Sequence, residues 1–215
     1  DLKLKNKINR ILNDSNSTKE NLAYGNFLLS KYEQKRKNYK KEFNYLLKGH
    51  LCYFESEKKK FKKEVDYRLN KLPSIKELVN FNKFNKNISK VNHEIKPIFI
   101  IGVPRCGSTL IEKVIASGTQ YISIGEETGI LNAFITQKIN QKLLLNSNLE
   151  NFQTEIIEKY KQKRLIQKKS DYIFTDKSLD NFFYLGVIRE IFPNAKIIHC
   201  KRNPLSSIMS LLKTN

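Results

Sequence analysis

The residues best suited to chemistry form the run Gly102-Val103-Pro104-Arg105-Cys106-Gly107-Ser108-Thr109. An apolar run, Ile98-Phe99-Ile100-Ile101, precedes it and the helical pattern Leu110–Ala116 follows, so it forms the turn between a strand and a helix. Such a turn holds an anion with successive backbone N–H groups and the positive end of the following helix. The outline Gly-x₄-Gly is that of a nucleoside triphosphate loop, but Ser108 stands where the phosphate-binding lysine is required. That absence argues against hydrolysis of ATP or GTP. Cys106, at a helix start, is open to activation as a thiolate, although its simpler role is that of one more backbone donor. Arg202 follows a second apolar strand, and a planar guanidinium suits phosphate because it donates two parallel hydrogen bonds. By themselves, Glu126 and Glu127 read as first-turn residues complementing a helix dipole, and Lys177 as a solvated lysine at a strand end.

The elements that must position these groups alternate. After Pro97 the strand 98–101 is continuously apolar, as a buried parallel strand should be. Further strands are expected at 172–175 and 196–200, with helices at 110–116, 126–142, 149–168, 181–192 and 205–213. Alternating strands and helices predict an α/β layer built on a parallel sheet.

The first 79 residues are of another kind, nearly free of glycine and proline and helical in period. Ser17 followed by Glu20 predicts a capping box. A long basic helix is expected over 35–63, with an apolar stripe of Phe43, Leu46, Leu47, Leu51 and Phe54, and a third helix from Ser74. The pair 21–29 and 39–51 resembles a degenerate tetratricopeptide repeat. The resemblance makes Gly25 the small residue that admits the partner helix and Phe43 a core position, with Glu42 standing where alanine is usual. An ordinary helical hairpin is the alternative. Residues 80–96, rich in Asn and Lys, read as a polar linker, leaving 97–215 as the α/β domain.

Across 98–212 the motifs resemble the sulfotransferase superfamily. The family loop reads Pro-Arg-Ser-Gly-Thr-Thr-Leu; this chain has Pro104-Arg105-Cys106-Gly107-Ser108-Thr109-Leu110. The resemblance implies that Arg105, Cys106, Gly107, Ser108 and Thr109 grip the 5′-phosphosulfate of 3′-phosphoadenosine 5′-phosphosulfate. It also implies that Arg202 and Ser210 hold the 3′-phosphate, since the family places an Arg after a strand and a Ser two helical turns later. Asn203 replaces a common aspartate. Gly125-Glu126-Glu127-Thr128 is similar to a block of tyrosylprotein sulfotransferases and bacterial repeat-containing sulfotransferases, which makes Glu127 the catalytic base. Phe174-Thr175-Asp176-Lys177 is similar to the branch's Asp-Lys step, which makes Lys177 the stabiliser of the transferring sulfuryl group. The fold implied is the sulfotransferase fold, incomplete here; the acceptor is a hydroxyl or an amine.

The net charge of +19 falls as +13 on residues 1–96 and +6 on the rest. Lysine supplies 33 of the 40 cations beside many Asn, Ile, Phe and Tyr, all encoded by A/T-rich codons. Genome composition therefore explains the charge more economically than binding to nucleic acid, which is not expected as a partner. A protein partner through the helical region is. Cys52, Cys106 and Cys200 have no paired spacing, which fits a reducing compartment and a cytoplasmic, bacterial protein. Neither the cysteines nor His50, His93 and His199 have ligand spacing, so no metal is expected; His199, in an apolar strand, is read as a core histidine. No membrane span is expected either. The chain ends within an apolar run, Ile208–Leu212, and is read as a fragment. Two other readings stand beside the sulfotransferase. A nucleotide kinase-like protein requires the missing Gly-Lys step; an inactive basic helical module would bind protein or RNA through residues 1–96.

Overall fold

The computed structural model describes residues 2–71, 92–118, 121–140, 149–168 and 172–214. The chain forms two compact units, Asp1–Leu69 with Ile208–Asn215, and Asn70–Ser207.

In the first unit, α1 (Leu2–Asn13), α2 (Lys19–Lys35), α3 (Tyr39–Ser56) and α4 (Lys58–Asp66) follow one another, and a π-helical turn, Tyr67–Lys71, comes after. Thr18, not Ser17, caps α2: its hydroxyl accepts from the Asn21 N–H at 3.2 Å, while Ser17 Oγ donates to the Ile11 carbonyl. A tight turn with Lys37 at φ 57° joins α2 to α3, and Ala23, Phe27 and Leu46 form the core between them. Gly49 is the small residue that lets this pair approach, since a Cβ there would lie 2.5 Å from the Phe27 ring. Gly25, expected in that role, instead faces Leu12 and Ile8 of α1. The expected basic helix breaks at Glu57 into α3 and α4. Its apolar stripe is wider than one packing face. Leu46 is buried, but Phe43 is 42% exposed, and Leu47, Leu51 and Phe54 are exposed with it, so Phe43 is not a core residue. Glu42 is buried instead, accepting from Gln34 Nε2 at 3.1 Å and paired with Lys213 at 3.1 Å. The helix expected from Ser74 and most of the linker 80–96 lie outside the described residues.

The second unit is α/β, as expected. Its three-stranded parallel sheet has the order β2-β1-β3, where β1 is Ile98–Gly102, β2 is Thr175–Asp176 and β3 is Lys196–Cys200. Ile98 is in register with Thr175 on one side and Lys196 on the other. The central strand buries Phe99, Ile100 and Ile101, and Phe192, Tyr160 and Phe174 pack around it. The second strand begins three residues later and ends one residue later than its apolar pattern suggested; Phe174, just before it, bridges to Ser123 and accepts from the Ile98 N–H at 2.7 Å. In β3 the edge position leaves most side chains exposed, His199 among them, so this histidine is not in the core. The helices are α5 (Ser108–Ala116), α6 (Ile130–Asn140), α7 (Leu149–Gln162), α8 (Leu185–Ile191) and α9 (Pro204–Leu212), the last running on into residues of the first unit. Helix α6 starts four residues later than expected, leaving 126–129 as loop. A 3₁₀ segment, Leu179–Tyr184, leads into α8.

Candidate functional site

In a parallel sheet, ligands bind beyond the carboxyl ends of the strands, where chains leave for helices on different sides. Three such exits meet here. From β1 the chain enters the turn 103–107 and then α5. Gly107 caps α5 at φ 99°, a left-handed conformation natural to glycine, and its carbonyl accepts from the N–H groups of Leu110 and Ile111. The N–H groups of Ser108 and Thr109 precede that bonding pattern and open outward from the helix start. Gly102 is required by close approach: a Cβ there would lie 2.7 Å from both Cys106 Sγ and the Cys200 carbonyl. Cys106 is buried with Ile100 and Cys200. The thiol of Cys200 is pushed up by burial first and by Cys106 second. The Cys106 N–H donates to the Val103 carbonyl at 3.2 Å and closes the turn.

From β3 the chain reaches Arg202, whose Nη1 donates to the Arg105 carbonyl at 3.0 Å. Arg105 itself sits at φ 67°, so this bond helps to hold a non-glycine residue in the left-handed region. The two arginines named as donor-binding residues are therefore joined, through the backbone of one and the guanidinium of the other. Ser210 lies two turns along α9 and is half-buried.

The exit from β2 carries the densest polar network. Asp176 is fully buried and accepts five hydrogen bonds. Oδ1 receives the Ser178 N–H (2.9 Å), Ser178 Oγ (2.6 Å) and Asn181 Nδ2 (3.0 Å); Oδ2 receives Thr128 Oγ1 (2.5 Å) and the Tyr160 hydroxyl (2.8 Å). The Tyr160 phenol is held well above its ordinary range, by burial first and by the neighbouring Asp176 charge second. This network ties the residue after Glu127 to the residue before Lys177. Gly125 brings the same loop against β2: a Cβ there would collide with the Thr175 carbonyl, and its N–H donates to Thr175 Oγ1 at 3.0 Å.

Lys177 is only 6% exposed, and its Nζ lies 3.6 Å from Glu127 Oε1 and 3.9 Å from Glu112 Oε2. The Glu127 side chain is 60% exposed, so it presents a carboxylate to solvent with an ammonium behind it. Glu126, at φ 54°, takes part through its backbone, its carbonyl accepting from the Lys177 N–H at 2.8 Å. Among the described residues no group of His, Cys, Asp and Glu is arranged to hold a metal ion.

A sulfotransferase family model matches residues 97–215, more than half of the chain and the whole of the α/β region. The chain belongs to the sulfotransferase family. It is also similar to an uncharacterized protein of Aquifex aeolicus (strain VF5), 28% identical over 236 aligned positions. That alignment takes in 95% of this chain but 28% of the relative, so the chain spans little more than a quarter of the relative's length. No solved structure matches it.

For a member of this family, the fold brings the loop 105–109, Arg202, Glu127 and Lys177 to neighbouring strand exits. Two buried residues at the centre were not singled out from sequence. In sequence Asp176 is marked only as the neighbour of Lys177. Glu112 stands inside the apolar helix pattern Leu110-Ile111-Glu112-Lys113-Val114-Ile115. A carboxylate on the buried side of such a helix was the available signal, because a charge is buried only where partners wait for it.

Proposed function

We propose that the chain carries the donor side of a sulfuryl-transfer site that uses 3′-phosphoadenosine 5′-phosphosulfate. The observation that supports this most is the joining of the two anion-binding blocks by the Arg202–Arg105 hydrogen bond, beside the Glu127–Lys177 pair. In this reading the loop 105–109 and the start of α5 bind the 5′-phosphosulfate, with the N–H groups of Gly107, Ser108 and Thr109 as donors while the Cys106 N–H closes the turn on the Val103 carbonyl at 3.2 Å. The Arg202 side chain, with Ser210, receives the 3′-phosphate. The acceptor oxygen or nitrogen attacks sulfur, and the bond from sulfur to the bridging phosphate oxygen breaks. Glu127 takes the acceptor's proton, and adenosine 3′,5′-bisphosphate leaves. Lys177 stabilises negative charge on the sulfuryl oxygens, the electrostatic work that dominates analogous phosphoryl transfers. The acceptor is a hydroxyl or an amine.

In the same reading residues 97–215 form the catalytic domain. The helices within 1–79 belong to a repeat-type region that meets a protein partner, with 80–96 as linker. The free cysteines Cys52, Cys106 and Cys200 suit a reducing cytoplasm, and among the described residues no helix is long and apolar enough to cross a membrane. Calorimetric titration with adenosine 3′,5′-bisphosphate and with ATP tests the nucleotide assignment. The bisphosphate is expected to bind more tightly; equal or tighter binding of ATP refutes the reading.

A further inference from the structure

Glu112 is the most completely buried carboxylate near the site other than Asp176, at 1% exposure, and no step described above uses it. It stands on α5, the helix whose first turn faces the donor. Its Oε1 accepts from Thr175 Oγ1 at 2.6 Å and from the Glu126 N–H at 3.1 Å. Its Oε2 lies 3.9 Å from Lys177 Nζ, on the ammonium that also pairs with Glu127.

The consequence for the loop is specific. The Glu126 N–H is bound by Glu112, while the Glu126 carbonyl is bound by the Lys177 N–H at 2.8 Å. Both ends of a left-handed, non-glycine residue are thereby clamped, and the direction in which the next residue, Glu127, leaves the backbone is set. The consequence for charge is equally specific. Lys177 stands between one buried carboxylate that cannot leave it and one exposed carboxylate that can. The ion pair to Lys177 is long, so the bonds from Thr175 and the Glu126 N–H are what offset the burial of this carboxylate.

We infer that Glu112 is a positioning residue: it couples the donor-binding helix to the base-bearing loop and fixes the Lys177 ammonium while Glu127 exchanges its proton. The inference rests on the sulfuryl-transfer reading for its catalytic half. The clamp on the loop stands independently of it.

Two variants of the full chain separate these halves. Glu112→Gln keeps an oxygen for Thr175 and the Glu126 N–H but turns an uncharged amide toward Lys177. Glu112→Leu keeps the volume and removes every acceptor. Three quantities are read: amide exchange over 123–128 by mass spectrometry, calorimetric affinity for adenosine 3′,5′-bisphosphate, and sulfuryl-transfer turnover. For Glu112→Gln we expect exchange and affinity close to those of the unmodified chain, with kcat lowered roughly 10- to 100-fold, the scale of a misplaced reacting group. For Glu112→Leu the same segment exchanges about tenfold faster or more, by loss of its bonded N–H. Unchanged exchange in Glu112→Leu overturns the clamp. An unchanged kcat in Glu112→Gln, or a fall in affinity matching the fall in kcat, overturns the positioning of Lys177. If Glu112→Leu does not fold, the split between affinity and kcat in Glu112→Gln decides. Absence of adenosine 3′,5′-bisphosphate binding by the unmodified chain removes the sulfotransferase reading, and exchange in both variants still decides whether Glu112 holds the loop.

Discussion

Replacing Asp176 by Asn changes one atom type at the centre of five hydrogen bonds. The asparagine carbonyl can take the place of Oδ1 and keep the Ser178 N–H, Ser178 Oγ and Asn181 Nδ2. The amide NH₂ then occupies the place of Oδ2, where Thr128 Oγ1 and the Tyr160 hydroxyl both arrive as donors. Two hydrogen bonds to a charged acceptor are lost, each worth about 1.5–3 kcal/mol, so Asp176→Asn should destabilise the α/β unit by roughly 3–6 kcal/mol. Urea denaturation followed by circular dichroism measures this. A second substitution sharpens the reasoning. Tyr160→Phe in the unmodified chain removes one bond and leaves Asp176 four donors, a loss of about 1.5–3 kcal/mol. In the Asp176→Asn background the tyrosine oxygen can only accept from the amide NH₂ and its own proton has lost the carboxylate, so deleting the hydroxyl should cost less than in the unmodified chain. The two substitutions must therefore be strongly non-additive. A loss below about 1 kcal/mol for Asp176→Asn, or the same cost for Tyr160→Phe in both backgrounds, refutes the claim that this carboxylate organises the loop.

Three further outcomes bear on the donor and on the chemistry. Arg202→Ala should weaken adenosine 3′,5′-bisphosphate more than adenosine 5′-monophosphate, by about 1.5–3 kcal/mol in a calorimetric comparison; equal losses mean that the guanidinium serves only the Arg105 carbonyl. Glu127→Gln should lower turnover by roughly 10²–10⁴-fold with donor affinity nearly unchanged. Glu126→Gln should have little effect, since Glu126 contributes its backbone to the site, and the reverse pattern in a turnover assay moves the base by one residue.

What was legible in the sequence was what short-range order encodes. The apolar run 98–101, the glycines of the loop and the strand 196–200 all carry their signal within ten residues, and each appears in the fold where it was expected. The misplaced features depend on partners distant in the chain. His199 sits in an apolar strand yet is exposed, because only the sheet order shows that β3 is at an edge among the described residues. Phe43 belongs to a helical apolar stripe yet is exposed, because that stripe is broader than the face α2 covers. Gly25 and Gly49 look alike in sequence, and only the packing shows which helix each admits. The site followed the same rule. The loop, Glu127 and Lys177 stand in short motifs, whereas Glu112 and Asp176 are defined by hydrogen bonds to residues 14 to 63 positions away in the case of Glu112, and up to 48 in the case of Asp176.

The parallel pairing of β1 with two later strands also sets a timetable for a newly made chain. Ile98 pairs with Thr175 and with Lys196, and the turn after β1 is held by the Cys200 region and by Arg202. At ~5–20 residues per second, ribosomes complete the loop roughly 5–20 seconds before the strand that fixes it. The helices of residues 2–66 are local and can form during that interval, but the central strand waits with both edges open. Parallel sheets of this kind form slowly and leave apolar strands exposed until they close. Nascent chains arrested between residues 102 and 196 would therefore carry the turn after β1 in sequence without its shape, and any protection such a chain needs from aggregation falls in that window.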